Sequence, residues 1–99
     1  MKRGGFVYII TNKNRTTLYT GVTSDIVSRI MQHKQKFYPK SFSARYRLGV
    51  LVYYENLASI GEAIDREKYI KGKKREWKEE LITRMNPTWK DLSEDIMKW

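Results

Sequence analysis

Phe6-Val7-Tyr8-Ile9-Ile10 and Leu18-Tyr19-Thr20-Gly21-Val22 are the two stretches on which the fold turns. Both are rich in β-branched and aromatic residues, which suit the pleated surface of a sheet better than the crowded flank of a helix. Between them lies the polar stretch Thr11 to Thr17, with Asn12 and Asn14 suited to a turn and Lys13 and Arg15 suited to water. Two such runs, joined by so little chain, read as a β-hairpin.

Working outward, Thr23 or Ser24 is expected to cap a helix, with Asp25 in its first turn, where a carboxylate meets the positive end of the helix dipole. Ile26, Val27, Ile30 and Met31 form one apolar stripe, and the helix should end near His33 or Lys34. From Gln35 to Arg47 the periodicity stops and aromatic and basic side chains interleave, which reads as exposed loop. Val50-Leu51-Val52-Tyr53-Tyr54 is a third strand. Ser59-Ile60-Gly61-Glu62 has the spacing of a capping box and starts a second helix, running to about Lys71 and stopped by Gly72. Trp77, Leu81, Ile82 and Met85 recur at helical spacing until Asn86-Pro87 ends a third helix, and the tail with Trp89, Leu92 and Trp99 should pack back on the core. The order β-β-α-β-α-α describes an α/β (α+β) fold, a three-stranded, mainly antiparallel sheet flanked by helices, as a single domain over residues 1–99.

Composition narrows the function. Twenty Lys and Arg against eleven Asp and Glu leave a formal charge of +9, a field whose natural partners are polyanions, nucleic acid ahead of any membrane surface. There is no Cys, so disulfides and thiolate zinc sites are excluded, and a metal must be held by oxygen or by His33, which favours Mg²⁺ or Mn²⁺. The apolar run behind Met1-Lys2-Arg3 covers only Phe6 to Ile10, too short for a secretory signal or a membrane span, so a cytoplasmic protein is expected.

Several residues break the pattern. Ile60, Ala63, Ile64, Glu67 and Lys71 fall along one face of the second helix, which puts the Glu67 carboxylate in an apolar stripe. That position is costly unless the charge is paired or coordinates a cation; an i, i+4 pair with Lys71 is the ordinary explanation. Arg29 and His33 are spaced to share one border of the first helix. A solvated polar border accounts for them, but a guanidinium beside an imidazole also suits a phosphate. Tyr8 and Tyr19 in strands more often pack than react, and Gly21 marks a bulge or a close approach.

Taken in order, Val7-Tyr8-Ile9, Tyr19-Thr20-Gly21, Arg29 with His33 on the next helix, and Glu67 on a later one resemble the GIY-YIG nuclease superfamily, in particular its small stand-alone bacterial proteins. The likeness extends over Leu51-Val52-Tyr53-Tyr54-Glu55 and Asn86-Pro87-Thr88-Trp89. Val7 stands where the family motif has Gly, and Thr20 where it has Ile.

The resemblance implies a divalent-metal-dependent DNA endonuclease that hydrolyses phosphodiester bonds, with Tyr8, Tyr19, Arg29, His33 and Glu67 as catalytic residues. Glu67 would hold Mg²⁺ or Mn²⁺, Arg29 would neutralise charge growing on phosphorus, and Tyr8 would take the proton of the attacking water, with His33 and Tyr19 as relay groups. Lys34, Lys36, Lys40, Arg45 and Arg47, with Lys71, Lys73, Lys74, Arg75 and Lys78, would grip the substrate. Such residues meet phosphates and carry little sequence information, which implies a preference for DNA structure, whether branched, nicked or duplex, and leaves RNA open. A monomer or weak homodimer is expected. The competing readings are a nucleic-acid-binding module that keeps the fold and does not cut, and an interaction domain that uses the three Trp at a protein contact; Glu55 is read as structural.

Overall fold

The structure, a computed structural model, describes residues 4–35 and 48–99. The expected loop from residue 36 onward, with Lys36, Lys40, Arg45 and Arg47, lies outside these residues. In chain order the elements are β1 (Gly5–Thr11), β2 (Leu18–Thr23), α1 (Ile26–Lys34), β3 (Val50–Leu57), α2 (Ile60–Lys71), α3 (Arg75–Met85) and α4 (Ser93–Met97). The sheet has the order β2-β1-β3 and both pairings are antiparallel. This is the three-stranded sheet flanked by helices that the sequence implies.

Why β1 is apolar at almost every position is now plain: it is the central strand, covered on both faces. Phe6, Tyr8 and Ile10 share one cluster with Ile26 and Ile30 of α1 and with Leu92 and Ile96 at the C-terminal end. Val7 and Ile9, of opposite parity, pack with Val52 and Tyr53 of β3, Ala63 and Ile70 of α2 and Ile82 of α3. Val7, at the position where the family motif has Gly, is fully buried here, so its side chain fills core.

Four details differ from the sequence reading. Asp25, not Thr23 or Ser24, is the N-cap of α1: its carboxylate accepts from Ser28 N, while Thr23 Oγ1 accepts from Asp25 N and closes the turn before it. β3 runs on past Tyr54 to Leu57, which pairs with Gly5; the polar Glu55 and Asn56 conceal that extension from a hydrophobicity reading. On α2 the buried stripe is Ala63, Glu67 and Ile70, whereas Ile60 and Ile64 are exposed, as is Met31 on α1. A short α4, too brief to show a period, follows the third expected helix.

Polar ties fix the ends of these elements to one another. Arg75 at the start of α3 donates to Thr16 O at 2.9 Å and Arg15 O at 2.6 Å, holding the hairpin tip. Arg15 lies 5.7 Å from the Trp89 ring centroid and donates to Thr88 O. Asn86, buried just after α3, donates from Nδ2 to Val52 O and Lys90 O. Among the described residues no helix is long and apolar enough to cross a membrane.

Candidate active site

The β1–β2 register sets Tyr8 opposite Gly21. The Tyr8 phenol lies so close over that glycine that a Cβ there would be 2.4 Å from both its Cζ and its Oη. The missing side chain is therefore what lets the ring cross the edge strand. Tyr19, two residues before Gly21, projects to the same face and packs against the α1 side of the core.

α1 follows β2 directly, and its Arg29 and His33, four residues apart, come to the same place. Tyr8 Oη is 3.0 Å from His33 Nε2, and the His33 ring centroid lies 5.7 Å from that of Tyr8 and 6.1 Å from that of Tyr19. Burial, reinforced by the charge of Tyr19, pushes the Tyr8 phenol up to about 12, although Arg29 pulls against it. Burial, and then the Arg29 charge, hold His33 below its ordinary 6.5. A protonated phenol facing a neutral imidazole fixes the direction of the bond: Tyr8 donates and His33 Nε2 accepts.

From the other side of the sheet α2 brings Glu67. The residue is only 9% exposed, and Lys71 Nζ lies 2.7 Å from its Oε2, so the ion pair expected as the ordinary explanation is present. The Glu67 charge is nonetheless close enough to Tyr8 to add to the upward push on the phenol. Lys71 Nζ also lies 5.7 Å from the Tyr19 ring centroid. Tyr8, Tyr19, Arg29, His33 and Glu67, drawn from four elements, thus surround one locality. Its conjunction of proton donor, proton acceptor, guanidinium and a single carboxylate is suited to moving a proton beside a phosphate.

The basic residues named from sequence divide. Lys34 is tied to Asp91 Oδ2 at 2.6 Å and to Gly49 O at 2.7 Å. Arg75 pairs with Glu79 and clasps the hairpin, and Lys71 pairs with Glu67. Lys73 Nζ sits 4.4 Å from the Tyr69 ring centroid and 5.6 Å from that of Trp77. Lys74 is exposed and Lys78 half-buried. Glu55, read as structural, receives Arg66 at 2.8 Å and the Tyr53 hydroxyl. The sequence does not single out Asp91 and Arg66, because Lys34 and Leu51 lie 57 and 40 residues from Asp91 and Glu55 lies 11 from Arg66, and no local period points to these contacts.

Among the described residues no three His, Asp or Glu converge as a metal cage. Glu67 by itself suits a hard cation that takes one carboxylate and completes its shell with water and substrate oxygens, as Mg²⁺ does.

The GIY-YIG catalytic domain model matches residues 4–80, and the chain belongs to the GIY-YIG family. Within it the chain is similar to small UPF0213 proteins. It is 39% identical over 77 residues to one from Staphylococcus haemolyticus strain JCSC1435, covering 78% of this chain and 92% of that one. A UPF0213 protein of Syntrophus aciditrophicus strain SB is 34% identical over 82 residues, covering 83% and 92%. The solution structure of a UPF0213 protein from Bacillus halodurans superposes with a TM-score of 0.55 at 28% identity, covering 90% of this chain and 93% of that one.

Proposed function

We propose that this chain is a divalent-metal-dependent endonuclease that hydrolyses phosphodiester bonds in DNA, acting as a single domain and selecting substrate by structure. The observation that carries the proposal is the 3.0 Å contact between Tyr8 Oη and His33 Nε2 beside the Arg29 guanidinium. With the phenol pushed up to about 12, an ionised Tyr8 is scarce at neutral pH. The pair avoids that demand: the attacking water gives its proton to Tyr8 Oη while the Tyr8 proton moves to His33 Nε2, so no free phenolate is needed. His33, held below 6.5, is neutral and ready to receive it.

Arg29 is exposed beside the hydroxyl, and its planar guanidinium suits the non-bridging oxygens of a phosphate. Glu67 would hold the divalent cation, whose chemistry when bound is to neutralise phosphate charge and stabilise the leaving oxygen. The surface lysines contribute charge without reading bases, which supports structural selectivity.

The Glu67–Lys71 ion pair supports a second reading, a binding module in which Glu67 is structural. Cleavage of branched, nicked and linear DNA with Mg²⁺, Mn²⁺ or chelator by Tyr8→Phe and Glu67→Gln separates the two. The endonuclease reading expects both variants to stay folded, to keep DNA binding and to lose turnover by about a hundredfold or more, the scale of a lost proton-transfer group. No metal-dependent cleavage by the parent protein on any substrate favours the binding module.

A further inference from the structure

Glu67 is placed to hold a cation, and it already holds one. Lys71, one helical turn further on α2, puts Nζ 2.7 Å from Glu67 Oε2. The Glu67 side chain is 11% exposed and that of Lys71 50%, so the carboxylate is enclosed while the lysine lies at the rim. The same Nζ is 5.7 Å from the Tyr19 ring centroid, within range of the negative ring face. The ammonium therefore stands between a carboxylate and an aromatic ring that the family motif supplies.

Resting on the reading of Glu67 as the metal-holding residue, we infer that Lys71 is an internal competitor for that metal and makes its binding conditional on substrate. An ammonium and a divalent cation repel one another on the same carboxylate, so the protein without DNA binds the metal weakly. Phosphate brings further negative charge and accommodates both cations. Lys71 can then release Glu67 at little cost, because its four-carbon stem is flexible and half-exposed and the Tyr19 ring offers its charge a second resting place. A merely structural i, i+4 pair has no need of that ring. The consequence is a site charged with metal chiefly when there is something to cut.

The test is Mn²⁺ binding to the folded protein without DNA, measured by calorimetry. Lys71→Met keeps the stem and removes the charge, and should raise Mn²⁺ affinity about tenfold, or about 1.4 kcal/mol. Lys71→Arg keeps the charge and should keep the weak affinity. Lys98→Met, which makes the same charge change without touching Glu67, should leave it unaltered.

In the parent protein, saturating Mg²⁺ should shift the Lys71 Cε–Hε resonance in a carbon–proton correlation spectrum and leave that of Lys98 in place. This second measurement decides the matter if Lys71→Met does not fold. Unchanged or weaker Mn²⁺ binding by Lys71→Met, or a Lys71 resonance that stays fixed, overturns the inference. Glu67→Gln tells its failure from that of the underlying reading: if that variant binds Mn²⁺ as the parent does, the metal assignment itself is wrong.

Discussion

The Tyr8 phenol occupies the space that a side chain on Gly21 would need, with 2.4 Å between its Cζ and the place of a Cβ. The two residues are register partners across β1 and β2, so their backbones cannot separate without breaking the hairpin. Gly21→Ala should therefore cost about 1–3 kcal/mol, the usual range for overpacking, and should also displace the hydroxyl from His33. In urea unfolding the double variant Gly21→Ala/Tyr8→Leu should lose less than the sum of its single losses, because the shorter side chain vacates the clash. Strict additivity would show that the two positions do not compete.

His33 is the single histidine of the chain, which makes its titration readable by proton NMR without ambiguity. Its midpoint should lie below 6.5, since burial and the Arg29 charge both disfavour the imidazolium. The unfolded chain takes up this proton first as pH falls. The contribution to stability is thus fully present above about 6.5 and is lost as pH drops through the folded value. Metal-dependent cleavage should fall on the same limb, because a protonated Nε2 cannot accept from Tyr8. A midpoint above 6.5 would contradict the direction of the Tyr8–His33 bond.

Thr20 stands where the family motif has Ile, and among the described residues its Oγ1 is the buried side-chain oxygen with no hydrogen-bond partner. The hydroxyl has given up water without compensation. Thr20→Val, which keeps the branched shape, should stabilise the protein by about 1 kcal/mol, seen as a higher midpoint in thermal melting. A lower midpoint would mean that the hydroxyl has a partner worth keeping.

By its charge Lys34 belongs with the residues expected to grip DNA, yet its ammonium lies on Asp91 and Gly49 O. Lys34→Ala should change thermal stability and leave the salt dependence of DNA binding almost untouched. Lys74→Ala should do the reverse, flattening the slope by up to about 0.9 for a lost duplex phosphate contact. Asp91→Ala should be the most damaging of the three, by about 2–3 kcal/mol, since it strips the acceptor from Leu51 N, Ser93 N and the Ser93 hydroxyl together. A slope altered by Lys34→Ala as strongly as by Lys74→Ala would return Lys34 to the binding surface.

The sheet was legible because β1 and β2 carry their apolar residues in two short runs with turn residues between, a local signal. Glu67 was legible for the opposite reason, as a charge inside an apolar stripe. The stripe in the structure is slightly rotated from the one the sequence predicts: the helix turns Ala63, Glu67 and Ile70 inward and leaves Ile60 and Ile64 exposed. Periodicity reports which residues share a face, and the sheet beneath decides which face is turned toward it. Neither the partner of Lys34 nor the ring beside Lys71 could be read, since each depends on a contact made only when distant segments meet.

Arg75 reaches from the start of α3 to two backbone oxygens of the hairpin tip, and Arg15 of that tip rests on Trp89 beyond the far end of the same helix. The effect is mechanical. Tyr8 stands on the hairpin and Glu67 on the helix that leads into α3, so a buckle fastened from one to the other damps the hinge along which these two groups could drift apart. The proposed reaction, which uses both, then loses little entropy at the moment of encounter, because folding has already aligned them.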